Sequence, residues 1–223
     1  MLSVAANQQT GNCYLCGAKL GKVAMKNHII KLHDDPAGEQ ECRLVKVEGM
    51  DKRYWLLLDL PLTASLKNLD DFLRKIWLEC CGHMSAFMGD GYQEFPMSCK
   101  LNRFPEGSKI GYEYDFGDTT QLQISFLGQI RRKKQREIVR LLARNTPIEW
   151  KCAECGKPAE LVFMERFYEE DEDPCLCEAC AEKLDMEMDM ALPVTNSPRM
   201  GVCAYEGELD RYGFEEYAEL SKK

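Results

Sequence analysis

The sequence predicts an α+β fold with a zinc module on either side of it. Short runs rich in β-branched and aromatic residues surround one strongly periodic helical segment in the middle of the chain, and two cysteine clusters with metal-ligand spacing stand near its ends. The composition is that of a folded protein with a charged surface, because 45% of the residues are apolar and 30% are charged. We expect a small mixed or antiparallel sheet with one main helix, flanked by an N-terminal ββα-type zinc finger and a C-terminal zinc ribbon or knuckle.

Length and composition exclude several classes of protein. At 223 residues the chain has room for one ordinary domain or two or three small ones, which argues against a single large enzyme fold. Nothing approaches eighteen consecutive apolar residues, and the first residues lack a basic start and a long apolar middle. We therefore expect no membrane span, no export signal and a cytoplasmic location, where cysteine pairs bind metal more often than they form disulfides.

The chain divides into four segments. Residues 1–38 form the finger-like segment and a linker, since Pro36 and Gly38 interrupt regular structure. The others are a central domain, a four-cysteine zinc module and a docking segment with an acidic tail, at residues 39–147, 148–192 and 193–223.

The first cysteine cluster has the spacing of a two-cysteine, two-histidine zinc finger. Cys13 and Cys16 are followed after eleven residues by His28, and after four more by His33. A β-turn presents the thiolates, and histidines on the last helical turn complete a tetrahedron that replaces the core so short a segment lacks.

The helix of this finger carries few base-reading groups. The positions that usually read bases hold Gly21, Ala24 and Asn27, so sequence-specific DNA reading by this finger alone is not expected. Phosphate contacts, contacts to an acidic protein and a purely solvated face all remain open for its lysines, Lys19, Lys22, Lys26 and Lys31. Of these, Lys22, Lys26 and Lys31 are the candidates for contacts with nucleic acid.

The central domain alternates strand-like and helical patterns. Residues 41–48 and 53–60 predict a strand pair, and 84–88, 109–116 and 119–128 predict further strands. Between them lies the main helix, with Thr63 or Ser65 as its cap and Gly82 as its end. Its apolar face consists of Leu66, Leu69, Phe72, Leu73, Ile76 and Trp77.

A basic run follows these strands, although the whole chain carries a net charge of −8. Residues 131–144 hold seven basic side chains and one acidic one, a charge of +6. A helix and a hairpin turning at Lys133-Lys134 both fit this run. The residues expected to contact nucleic acid here are Arg131, Arg132, Lys133, Lys134, Arg136 and Arg140.

The second cysteine cluster consists of two CxxC knuckles. Cys152 and Cys155 are separated by twenty-one residues from Cys177 and Cys180, a spacing typical of structural zinc sites. Four thiolates close the coordination shell and leave no position for water, so this site is expected to hold structure. The sequence therefore predicts two Zn²⁺ per chain and leaves six of the twelve cysteines outside the sites, with Cys175 as a bystander.

Three segments outside the zinc clusters resemble the plasmid Orf-three-like family, of the root-inducing-plasmid type. They are CGHMSAF at 81–87, YEYDFGD at 112–118 and NSPRMGVCAY at 196–205. The resemblance covers residues 41–128, and 145–207 are similar to the zinc-bearing archaeal-type members. It implies an α+β domain of unestablished biochemical function, and the N-terminal finger lies outside it.

The sequence departs from that pattern in two places. Thr119, Thr120 and Gln121 stand where relatives usually carry an aromatic residue and a histidine. Phe163 and Arg166 stand where a middle CxxC of the zinc-bearing relatives could make a second, interleaved site. The resemblance therefore implies one zinc in the C-terminal module of this chain.

These segments contain a candidate functional pocket of His83, Tyr114, Asp115, Asp118 and Arg199. Carboxylates flanking a tight turn near a histidine suit a hydrolytic or metal-binding centre, but aspartate before glycine is also ordinary turn chemistry, which we favour. His83 is similarly expected to be a buried hydrogen-bonding residue. Arg199 is expected to dock the C-terminal segment, against the Asp115/Asp118 turn.

Three functions follow from these features. The first is a non-catalytic zinc-binding adaptor whose basic patches contact RNA or a ribonucleoprotein. The second is a protein-protein interaction module that uses two acidic segments. One is residues 165–189, which contain eleven acidic and two basic side chains, and the other is the C-terminal tail. The third, a metal-dependent hydrolase centred on His83, Asp115 and Asp118, lacks a nucleophile elbow or phosphate loop.

Overall fold

A computed structural model describes residues 10–167 and 173–207 of the chain. Nine of its strands form one antiparallel sheet: β1 (Thr10–Cys13), β2 (Lys19–Gly21), β3 (Gln40–Gly49), β4 (Trp55–Pro61), β5 (Ser85–Met88), β6 (Glu94–Phe95), β7 (Lys109–Tyr114), β8 (Thr120–Arg132) and β9 (Arg140–Asn145). Their spatial order is β2-β1-β9-β4-β3-β8-β7-β5-β6. A second sheet has the order β11-β10-β12, from β10 (Leu161–Phe163), β11 (Cys175–Leu176) and β12 (Ala191–Pro193).

The helices are few and short. They are α1 (Lys22–Leu32), α2 (Leu66–Leu73), α3 (Met164–Phe167) and α4 (Glu178–Lys183). Single 3₁₀ turns occupy Asp90–Tyr92, Leu101–Arg103 and Met188–Met190. The α+β class is confirmed. Among the described residues, no helix is long and apolar enough to cross a membrane.

The main sheet is larger than the sequence suggested, and a single main helix is not confirmed, because α1 with 11 residues is longer than α2 with 8. The finger supplies two of the strands, because β1 pairs with β9 through Gly11↔Asn145 and Cys13↔Ala143. This pairing needs glycine at position 11, where an added Cβ would lie 2.3 Å from the Arg144 carbonyl oxygen. The finger thus continues the sheet, and its α1 covers part of one sheet face.

Both faces of the sheet centre are buried. On one face, Met25 and Ile29 of α1 pack with Trp55, Leu57 and Ala143. On the other, the apolar side of α2 packs against strand residues that include Val45, Val47, Leu56 and Leu58. Strand β4 is therefore buried along its whole length, which explains why its sequence is almost continuously apolar.

Helix α2 begins where the sequence predicted and ends earlier. Ser65 is its N-cap, with its backbone amide donating to Asn68 Oδ1 at 2.9 Å, and the six predicted apolar residues are all buried. After Leu73 the chain continues as a π-turn over Arg74–Leu78, in which the Glu79 amide donates to the Arg74 carbonyl. Such turns occur frequently at functional sites.

Residues 131–144 form neither a helix nor a hairpin. Strand β8 ends at Arg132 and β9 starts at Arg140, but β3 and β4 lie between them in the sheet. The connection over 133–139 therefore crosses the end of the β3–β4 pair. The two arginines at the ends of this connection, Arg132 and Arg140, share one carboxylate on β4. That carboxylate is Asp59, which is fully buried and pairs with both of them.

We expect Asp59→Ala to lower the free energy of unfolding by about 3–5 kcal/mol, because it leaves two largely buried guanidinium groups without their carboxylate. Chemical denaturation measures this loss. Glu41→Ala is the matched control: it breaks the exposed pair that Glu41 makes with Arg131 at 2.7 Å, and should cost no more than about 1 kcal/mol. Equal losses for the two variants would contradict the structural role of Asp59.

Candidate metal centres

The structure brings all four predicted ligands of the N-terminal cluster together. Cys13 ends β1 and Cys16 lies in the turn before β2, while His28 lies in α1 and His33 directly follows its last residue. Cys16 Sγ lies 3.2 Å from His28 Nε2, and Cys13 Sγ lies 3.5 Å from His33 Nε2. Tetrahedral zinc would place sulfur and nitrogen ligands about 3.6 Å apart, so the cluster is compatible with a zinc site.

The C-terminal cluster is built from two turns of the smaller sheet. Cys152 and Cys155 precede β10, while Cys177 and Cys180 lie at the start of α4. The sulfur atoms of Cys155 and Cys177 are 3.7 Å apart, close to the edge of about 3.8 Å expected for two sulfurs on tetrahedral zinc. Cys175 lies outside this cluster, in the core, where burial raises its pKa to about 12.

The thiol of Cys152 is prepared for metal binding. Its burial opposes ionisation, but backbone amides of Cys177, Cys155 and Glu154 outweigh that effect and lower the pKa of Cys152 to about 6. The thiolate is the form that binds metal. The ionised form is thus favoured at Cys152, whereas hydrogen bonds with Cys177 and Cys155 raise the pKa of Cys180 to about 12.

A third cluster, which the sequence did not predict, consists of Cys80, Cys81, His83 and Cys203. Cys81 Sγ lies 3.6 Å from Cys80 Sγ, 3.5 Å from Cys203 Sγ and 3.0 Å from His83 Nε2. Cys203 Sγ lies 3.5 Å from the same nitrogen. The four candidate ligand atoms lie within 4.8 Å of one another, as they do in the other two clusters.

A polar network holds the turn that presents three of these ligands. Arg74 in the π-turn donates to the His83 carbonyl at 2.7 Å and to Glu79 at 2.9 Å. Glu79 accepts the Gly82 amide at 2.6 Å, and Gly82 has a φ of +81°, which glycine adopts without strain. Gly82 thus shapes the ligand turn and does not end the helix.

Asp70 anchors this network from inside the core. It is 1% exposed and accepts hydrogen bonds from Ser85 Oγ at 2.7 Å and Tyr112 OH at 2.8 Å. It also pairs with Arg74 and Lys67. Burial opposes its ionisation, but the hydrogen bonds from Ser85, Tyr112 and Lys67 outweigh it, so the pKa of Asp70 lies below its ordinary value.

The C-terminal segment is held by a fully buried arginine. Arg199 Nη2 donates to Asp115 Oδ2 at 2.7 Å, and Nη1 donates to the Asp118 carbonyl at 3.2 Å and to Thr120 Oγ1 at 3.0 Å. The guanidinium also lies over the Tyr114 ring, 4.8 Å from its centroid. The docking of Arg199 onto the Asp115/Asp118 turn, expected from the sequence, is thus present.

The candidate pocket is brought together around the third cluster. His83 Nε2 lies 3.4 Å from Asp115 Oδ2, and its ring is edge-on to Tyr114. His83 is not fully buried, since 29% of its side chain is exposed. Asp115 is a poor general base, because the Arg199 hydrogen bond lowers its pKa and its other oxygen accepts the Gly117 amide. Asp118 contributes its backbone carbonyl to the Arg199 contact.

Cys80, Cys81 and Cys203 are among the six cysteines that the sequence spacing leaves outside the two predicted zinc sites. A local signal was present, because two cysteines and a histidine fall within four residues at the end of a predicted helix. Another was Cys203, inside one of the three family-like segments. To combine the two signals, one must know that His83 and Cys203, which are 120 positions apart, are in contact. Motif spacing gives no information on contacts at that separation.

The predicted nucleic-acid-binding residues fall into two groups. Arg132 and Arg140 are engaged with Asp59 inside the fold, and Lys22 pairs with Glu48 at 2.6 Å. These three therefore have structural partners. The remaining residues are at least partly exposed: Lys26, Lys31, Arg131, Lys133, Lys134 and Arg136.

The acidic stretch lies around the C-terminal cluster. Its described acids are mostly exposed, and they alternate with methionines at residues 185–190. Glu206 is exposed. The other predicted tail acids, Glu208, Asp210, Glu215 and Glu216, lie outside the described residues.

Comparisons with known proteins assign no function. No family model matches the sequence, and no curated protein matches it. A solved structure, a protein of unknown function (MM3350) from Methanosarcina mazei Go1, is similar to 47% of this chain and 67% of its own at 16% identity, with a TM-score of 0.38. The resemblance to the plasmid Orf-three-like family stays a prediction from the motifs.

We expect Asp70→Asn to weaken the fold at neutral pH and to flatten its acid sensitivity. Because the folded pKa of Asp70 lies below the unfolded value, its charge stabilises the fold above pH about 4, and this contribution is lost as pH falls through the folded pKa. Unfolding free energies measured from pH 7 to pH 3 should therefore converge for the two proteins. Asp71→Asn, at the exposed neighbour, is the control, and an unchanged gap at pH 3 would contradict the expectation.

Proposed function

We propose that the chain is a non-catalytic zinc-binding protein that contacts RNA or a ribonucleoprotein through a basic loop. The basic loop is the exposed part of residues 131–136, namely Arg131, Lys133, Lys134 and Arg136. The single observation that carries the proposal is that Lys133, Lys134 and Arg136 make no ion pair within residues 10–167 and 173–207. Their charges are therefore available to phosphate groups.

The fold presents this loop in a defined position. The Arg131 amide donates to Asp34 Oδ1 at 2.7 Å, and the Asp35 amide donates to the Arg131 carbonyl at 3.0 Å. These bonds bring the loop beside the last turn of α1, which carries the exposed Lys31. Lys31 can therefore add its charge to that of the basic loop, and these few cations suit weak, sequence-tolerant contacts with phosphates.

The ligand sets support a structural role for the metals. Two thiolates with two imidazoles, or four thiolates, complete a tetrahedral shell and leave no open position for an activated water. A hydrolase would need such a position or a group free to act as a base. The proposed activity is therefore binding.

We expect the triple variant with Lys133, Lys134 and Arg136 changed to alanine to lose most binding to a single-stranded RNA oligonucleotide. On a plot of log affinity against log salt concentration, removing three phosphate contacts should reduce the slope by about 2. Fluorescence anisotropy at several salt concentrations measures both quantities.

The matched control changes Lys100, Arg103 and Lys109, three exposed basic residues outside the basic loop, to alanine. It should bind as the unmodified protein does. The proposal fails if the unmodified protein binds neither RNA nor DNA at low salt, or if the two triple variants behave alike.

A second candidate function, binding of a basic protein, is favoured by the segment 184–190. Leu184, Met188 and Met190 are 44–49% exposed, and acids separate the methionines. Exposed, adaptable methionines within a negatively charged surface suit a partner with basic and apolar side chains.

We expect the double change Met188→Ser and Met190→Ser to remove a stoichiometric protein partner from the purified complex while RNA binding is retained. Co-purification followed by mass spectrometry measures this. Met84→Ser, at another exposed methionine, is the control and should leave the partner bound. Retention of the partner by the double variant would exclude this surface.

A further inference from the structure

We propose that Cys80, Cys81, His83 and Cys203 form a third structural zinc site, which fastens the C-terminal segment to the end of α2. The site is independent of the proposed RNA binding. It would raise the metal content to three Zn²⁺ per chain, one for each cluster. The ligands come from the turn after the π-turn and from a segment that contacts the central sheet through Arg199.

The distances within the cluster are those of a coordination shell. On tetrahedral zinc, two sulfurs lie about 3.8 Å apart, and a sulfur and a nitrogen about 3.6 Å. The Sγ–Sγ distances of 3.5 and 3.6 Å and the Cys203 Sγ–His83 Nε2 distance of 3.5 Å are close to these edges, and the Cys81 Sγ–His83 Nε2 distance of 3.0 Å is shorter. The side chains converge on one point, as ligands of a single ion do.

A disulfide does not explain this arrangement. Bonded sulfurs lie about 2.05 Å apart, well below the 3.5 Å between Cys81 and Cys203. A disulfide would also involve only two of the three cysteines, and it would not explain why the third sulfur and the His83 imidazole lie beside them. One Zn²⁺ uses all four groups at once.

The surroundings supply the support that metal ligands require. Arg199 Nη2 lies 3.5 Å from Cys80 Sγ, so a buried cation faces a ligand sulfur. The same guanidinium binds Asp115 at 2.7 Å and occupies the carboxylate oxygen that lies nearest His83. Arg74 fixes the His83 backbone from the other side. Such outer contacts orient ligands and tune metal affinity.

Three thiolates and one Zn²⁺ leave the site with one negative charge, and no ligand position remains for water. The site is therefore structural in character. Its effect is mechanical: it joins positions 83 and 203 at a point where the C-terminal segment otherwise depends on hydrogen bonds.

Zinc per chain, measured by elemental analysis of the full-length protein purified under reducing conditions, tests the proposal. We expect three ions for the unmodified protein and two for Cys203→Ala. Cys99→Ala removes a buried cysteine outside the three clusters, and should keep three. His83→Cys should also keep three, because a fourth thiolate replaces the imidazole.

Two ions in the unmodified protein, with all its thiols reduced, would overturn the proposal, and this measurement needs no variant to fold. An unchanged metal content in soluble Cys203→Ala would overturn it as well. Loss of one ion from Cys99→Ala would also count against it, because the loss would then not be specific to the cluster.

Discussion

The burial of one guanidinium group organises the region where the sheet, α2 and the C-terminal segment meet. A buried charge is costly unless it is paired and its donors are satisfied, and Arg199 is completely buried. Its two terminal nitrogens donate to Asp115, to Thr120 and to the Asp118 carbonyl, which lie in the turn before β8 or at its start, while its Nε has no hydrogen-bond partner among the described residues. These contacts hold the C-terminal segment against the turn before β8, where Cys203 lies beside His83.

The pairing of a buried charge also stabilises the centre of the sheet. Asp59 lies on β4, and its two arginines come from β8 and β9, which flank the β3–β4 pair on opposite sides. These ion pairs close the sheet across the hairpin, while α1 and α2 cover its faces. The basic run of the sequence is thus divided between interior groups that hold the fold and exposed groups that face solvent.

Local patterns in the sequence predicted the parts that depend on local geometry. The spacings around Cys13 and Cys152 identified two ligand sets, and the apolar period of residues 66–77 identified α2. The third cluster, the enlarged sheet and the partners of Arg132 and Arg140 all depend on contacts between distant residues. Periodicity carries no information about which strands pair, so these features required the three-dimensional arrangement.

Through the hydrogen bonds between β1 and β9, the N-terminal finger also covers an edge of the central sheet. Its hairpin covers the side of β9 that does not face β4, so the backbone groups of β9 are paired on both sides. Without this hairpin, that strand would be a free edge, with amides and carbonyls able to pair with another chain. The finger therefore protects this edge of β9 from association with a second sheet.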